Sequence, residues 1–155
     1  MKCSFFSKGR STMTSNLSIN QQTASDRWTQ LGFYGVAVLF NLCLIVQVFT
    51  VGVAYFNNPT WWTVHVWLVR GYGGLSLILW GGSFIAPFSP KIQRLTASLP
   101  MLLGFQFCSI HLKTPLHLEV LHPLIGFTLF YVSSTLVHSI WRGLSPTHDR
   151  QHEQA

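Results

Sequence analysis

Residues Leu31 to Phe56 form an apolar run whose strongly polar members are Asn41 and Gln47 alone. About 20 helical residues cross a 30 Å hydrocarbon core, so this run is long enough to span a bilayer. Asn57-Asn58-Pro59-Thr60 breaks it, and Trp61-Trp62 follows as an aromatic pair suited to a membrane interface. A second run extends from about Trp61 to Ile85 and stops before Pro87 and Pro90. A third runs from about Ile92 to Leu112 and contains Pro100, and a fourth runs from Leu116 or Pro123 to Trp141. None shows the period-two alternation of a barrel strand, and each is about twice the length such a strand needs. The connections are short, which makes consecutive spans antiparallel neighbours. The pattern predicts an all-α integral membrane four-helix bundle, up-down-up-down, with spans near 31–56, 61–85, 92–112 and 116–141.

The shortage of charge agrees with this. Only 9% of the residues are charged, against about 25% in an ordinary soluble domain. A soluble enzyme, a disordered chain and a disulfide-stapled secreted module are thereby excluded. The net charge of +6 comes from scattered Lys and Arg with no basic patch, so no nucleic-acid partner is expected. Cys3, Cys43 and Cys108 form no CxxC motif and predict neither a disulfide nor a cysteine metal site. Residues 1–29 are polar and lack a secretory apolar segment, which predicts a disordered leader, with Met1 or Met13 as the start. Residues 30–142 form the membrane domain, and 143–155 a disordered polar tail.

Orientation follows from the cations. Lys2, Lys8, Arg10, Arg27, Lys91, Arg94, Arg142 and Arg150 collect on one side, against Lys113 on the other and Arg70 within the second span. Both termini are therefore expected in the cytoplasm.

Polar residues inside spans are costly and informative. In this topology His65, His111, His117 and His122 gather at the outer face, while His138 lies at the opposite end and His148 and His152 in the tail. His65 and His122 fall about one turn inside the outer ends of spans two and four. Two spans running in one direction then present imidazoles at equal depth, which is the geometry of bis-histidine haem ligation. Leu68, Val69, Tyr72 and Ser76 share the His65 face; Gly126, Leu129 and Ser133 share that of His122. The glycines at 71, 73, 74 and 126 suit either a flat macrocycle or tight helix packing. A His-based metal site and purely structural histidines remain open beside haem. Pro123 sharpens the choice. As the first helical residue it leaves His122 capping the helix toward the headgroups. In a helix begun at Thr114-Pro115 it makes a kink, with His122 pointing inward.

Arg70 lies off the His65 face, and no acid in the spans pairs with it, which makes a cofactor carboxylate such as a haem propionate a suitable partner. Gln47 and Gln106 are the other unpaired polar groups, placed to hydrogen-bond across helices. No nucleophile elbow, phosphate loop or HExxH motif occurs, so no catalytic residue is nominated.

The stretch Val46-Gln47-Val48-Phe49-Thr50-Val51-Gly52, with Trp62-Thr63-Val64-His65 and Leu121-His122-Pro123-Leu124, resembles a family of small bacterial four-span proteins. That family is catalogued as domain of unknown function 6220. The resemblance covers about residues 30–142 and implies a multi-pass protein of the bacterial cytoplasmic membrane. The plan is also similar to one half of haem A synthase, with a Gln-and-Gly motif on the first helix and His on the second and fourth. That likeness implies axial haem b ligation by His65 and His122, with Gln47 nearby. A single four-helix unit departs from a two-site synthase, and it offers no inverted repeat of the kind transporters use. Two functions follow: a haem-b-binding redox or haem-handling protein, or a cofactor-free accessory subunit that packs against lipids and a larger membrane complex.

Overall fold

The computed structural model describes residues 9–85, 88–112 and 117–145, with side chains from residue 27 onward. Four α-helices account for nearly all of them: α1 (Gly9–Phe56), α2 (Trp61–Gly82), α3 (Pro90–His111) and α4 (His122–Leu144), with a short 3-10 turn at Leu118–Leu121 before α4. The described residues contain no strand.

α1 is helical from Gly9, within the stretch expected as a leader, and not only from the apolar run. No proline precedes Pro59, and extending an existing helix adds one hydrogen bond per residue without a new nucleus. Residues 1–8 lie outside the described residues, as does the expected disordered tail beyond Ser145. α1 ends where Pro59 disfavours helix in the residue before it. There the Asn58 side-chain oxygen accepts from the Thr60 amide at 3.0 Å and from its hydroxyl at 2.9 Å. α3 opens on Pro90, whose missing N–H costs nothing at a first helical position. Pro100 sits inside α3 as expected. The fourth helix begins later than position 116: His117 is left-handed (φ 47°) and the 3-10 turn separates it from α4.

Each helix packs on its two neighbours in a ring, α1 on α2, α2 on α3, α3 on α4 and α4 on α1, while the backbones of the diagonal pairs do not approach closely. Neighbours run antiparallel. Tyr34 near the start of the apolar run stacks at 5.8 Å on Trp141 near the end of α4. Phe40, Leu79, Leu99 and Leu136 fill the centre, each fully buried. Asn41 ties α1 to α4 by donating to the hydroxyls of Ser133 (3.1 Å) and Ser134 (3.0 Å).

The surface is inverted relative to a soluble protein. Thr50, Ser76, Ser83, Thr96, Ser109 and Ser133 are buried, whereas Leu42, Phe49, Trp67, Ile78, Phe105 and Phe127 are among many large apolar side chains left exposed. All of these hydroxyls but that of Ser133 donate to a carbonyl three or four residues earlier, as Ser76 does to that of Gly73 at 2.7 Å. Two helical segments, Arg27–Phe56 and Leu118–Leu144, are long and apolar enough to cross a membrane.

Candidate functional site

At the ends of the helices away from Arg27 and Lys91, α1 and α2 bring Gln47, Thr50 and His65 together. Thr50 follows Gln47 by three residues, which places both on one face of α1. Its hydroxyl donates to the Gln47 carbonyl at 2.7 Å. The same oxygen lies 3.2 Å from His65 Nδ1. The Gln47 amide nitrogen is 2.8 Å from His65 Nε2 and 2.9 Å from Nδ1. Because the two ring nitrogens are so nearly equidistant, the amide serves one of them at a time. Trp62 closes the outer side, its ring edge-on to the imidazole at 5.6 Å.

A second group of the same composition stands on α3 and α4. Ser109 follows Gln106 by three residues, and its hydroxyl donates to the Gln106 carbonyl at 2.8 Å. Its oxygen lies 3.4 Å from His122 Nδ1, and the Gln106 amide nitrogen lies 3.0 Å from His122 Nε2. In both groups, then, a hydroxyl stands at Nδ1 and a glutamine amide at Nε2, the Gln47 amide reaching His65 Nδ1 as well. The two histidines are half-buried.

His122 combines features of both readings of Pro123. It is the first residue of α4, so it does not lie a full turn within a span, yet its ring turns onto α3 and not outward. Gly126, one turn later, permits this. A Cβ there would stand 3.4 Å from the Gln106 amide nitrogen. The cluster at Gly71, Gly73 and Gly74 has no such role, for a Cβ at any of them would meet nothing within 4 Å. Tyr72, Ser76, Leu129 and Ser133 are buried on the histidine faces, as their spacing predicts.

Arg70 is placed elsewhere. It is exposed, and its guanidinium lies over the Trp67 ring, 5.5 Å from the centroid. His111 is exposed and donates from Nδ1 to the Phe107 carbonyl at 2.9 Å, while His117 pairs with Glu119 at 2.8 Å in the open. No group of three or more His, Cys, Asp or Glu side chains converges among the described residues. Cys43 and Cys108 are free thiols. His138 lies at the other end of the helices, in a groove of about 330 Å³ shared with Tyr34, Asn41, Ser134, Val137 and Trp141.

The sequence reading named both glutamines and both histidines but missed Thr50 and Ser109. The available signal was the doubled spacing, Gln47-Val48-Phe49-Thr50 and Gln106-Phe107-Cys108-Ser109, each upstream of a histidine.

Residues 47–112 match the family of unknown function DUF6220. The DUF6220 segment begins at Gln47 and takes in Thr50, His65, Gln106 and Ser109, but it ends before His122. No curated protein and no solved structure matches the chain, so the likeness to half of haem A synthase rests on the helix plan alone.

Chemically, the site offers two imidazoles and two amides. The Oε1 atoms of Gln47 and Gln106 are buried with no hydrogen-bond partner. An unsatisfied buried acceptor costs roughly 1–3 kcal/mol. The glutamines are thus only half-satisfied where they stand, and a ligand that displaces them from Nε2 gives up little.

Proposed function

We propose that this protein crosses the membrane four times with both termini in the cytoplasm, and holds one b-type haem between His65 and His122 near its outer face. Support for four spans comes from the large apolar side chains exposed on all four helices, while small hydroxyls lie buried among the leucines of the core, since lipid and not water must face such a surface. Support for the orientation comes from Arg27, Lys91, Arg94 and Arg142, which mark one end of the helices.

The observation that carries the haem reading is the matched pair of groups, one imidazole on α2 and one on α4, each with a hydroxyl at Nδ1 and a glutamine amide at Nε2. These helices stand diagonally in the ring, so a haem between them takes one imidazole from each side. A metal-bound histidine usually gives its other ring N–H to an acceptor. Thr50 and Ser109 supply that acceptor at each Nδ1. Nε2 is then the ligating atom on both rings, once the Gln47 and Gln106 amides rotate off it. Arg70 reaches a propionate only by leaving the Trp67 ring. A haem held this way supplies a one-electron couple inside the membrane. The chain's own residues orient the two rings, fix their protons and keep bulk water from Nε2.

The test is an absorption spectrum of the detergent-purified protein with a reduced-minus-oxidised difference. A low-spin b-type spectrum is expected. A preparation that stays colourless after haem is added removes the reading. One observation favours the cofactor-free accessory subunit instead: every ring nitrogen of His65 and His122 already has a protein partner. In that case the Gln–His pairs simply tie α1 to α2 and α3 to α4. Tags at both termini test the topology, and accessibility of either from the outer side would overturn it.

A further inference from the structure

The two halves of the site belong to a larger repetition. The buried positions of α1 recur in α3 at a constant interval of 59 residues: Ala37 with Thr96, Phe40 with Leu99, Leu44 with Leu103, Thr50 with Ser109. Those of α2 recur in α4 at an interval of 57: Tyr72 with Leu129, Ser76 with Ser133, Leu79 with Leu136, Ser83 with Ile140. Gln47 and Gln106 keep the first interval, and His65 and His122 the second. A ring of four helices in which the first pair repeats as the second, in the same direction, has a pseudo-twofold axis down its centre. The inward face of each helix is what the repetition preserves; exposed residues such as Phe49 and Cys108 do not follow it.

The hydrogen bonds then fix the protons. A hydroxyl has one hydrogen, and Thr50 and Ser109 both spend it on a glutamine carbonyl. Toward the imidazole each oxygen can only accept. With the hydroxyl accepting, Nδ1 carries the proton and Nε2 keeps its lone pair toward the glutamine N–H, at 3.0 Å on His122 and at 2.8 Å on His65, where the amide serves Nε2 rather than the Nδ1 it also reaches at 2.9 Å.

We infer that His65 and His122 are equivalent halves of one pseudo-twofold ligand site, made by a tandem helical-hairpin repeat, in which Thr50 and Ser109 are positioning residues that hold Nδ1–H and present both Nε2 atoms to one shared ligand. The ligand class is one with two equivalent opposed positions for nitrogen, which an axially open metal centre has. The ligand side of this inference rests on the haem reading. The proton assignment does not.

The test uses the full-length protein in detergent, with 15N-labelled histidine and no added haem. Nitrogen shifts of His65 and His122, assigned with His65→Gln and His122→Gln, should both report the neutral Nδ1–H form. Thr50→Val should change the form of His65 alone, and Ser109→Ala that of His122 alone. Thr50→Ser and Ser109→Thr keep the hydroxyl and should restore the parent shifts, which separates positioning from a general loss of structure. An Nε2–H form at either ring of the parent protein overturns the inference, as does a Thr50→Val change felt equally at both rings. Haem is then added to the same samples. Correct ring forms with no b-type spectrum defeat the haem reading alone, whereas a b-type spectrum with the wrong ring forms defeats this one alone. With haem bound, Thr50→Val and Ser109→Ala should shift the midpoint potential in the same direction by similar amounts.

Discussion

In the first hairpin, residues 57–60 turn the chain between α1 and α2, pinned by the Asn58 side chain. In the second, ten residues separate α3 from α4, among them a left-handed His117 and a 3-10 turn. The joints differ in length and in kind, yet each delivers a histidine to a glutamine and a hydroxyl. The bodies differ as well. Asn41 holds α1 to α4 through two serines, while its counterpart 59 residues on is Pro100, which has no N–H and no polar side chain. Gln47 is buried, only 8% exposed, whereas Gln106 is half-exposed. The lesson is that the geometry at the histidines is set by the facing helix pair and not by the turn that joins it.

The largest expected effect tests the equivalence directly. His65→Ala and His122→Ala should each abolish the low-spin b-type spectrum or convert it to high spin, because each removes one axial nitrogen. His111→Ala and His117→Ala should leave it intact, since both rings are exposed and turned to other partners. A spectrum that survives one of the two axial substitutions breaks the comparison.

Core truncation comes next. Leu79 and Leu136 are counterparts, both fully buried. Leu→Ala at either should cost about 2 kcal/mol, the low end of the range for buried leucine. Lipid is as apolar as leucine, so lost packing and not lost burial sets the figure. Unfolding in mixed detergent measures it, and a large inequality would mean the two hairpins pack differently. Asn41→Leu should cost less, at about 0.6 kcal/mol per lost hydrogen bond. It should affect α1–α4 pairing, whereas Pro100→Ala, at the matching position, should leave that pairing unchanged in cysteine cross-linking between α1 and α4.

The smallest effect concerns the helical extension of α1, residues 9–26, which has no counterpart before α3. Deleting residues 1–26 should leave membrane insertion unchanged, because the apolar segment begins afterwards at Arg27. Failed insertion would give that extension a role the second hairpin lacks.

Helix number and helix ends were legible in the sequence, because apolar length and proline positions act locally. The expected starts at 61 and near 92 and the break before Pro59 reappear within two residues, whereas α2 stops at Gly82, three residues short of the expected Ile85. Burial of Tyr72, Ser76, Leu129 and Ser133 was legible too, since a 3.6-residue period fixes which side chains share a face. The start of α4 was not, because a proline permits both a first turn and a kink, and only contact with α3 selects one. Nor could the sequence pair Gln47 with His65 or Gln106 with His122. Each pair joins two helices, and its hydrogen bonds exist only once those helices stand side by side. The roles of Thr50 and Ser109 lay further out of reach, because a hydroxyl three residues from a glutamine is an ordinary helical neighbour until an imidazole is brought against it. Composition and periodicity determined four helices with apolar rims; the packing of α1 on α2 and of α3 on α4 decided which two of the seven histidines meet a glutamine and a hydroxyl.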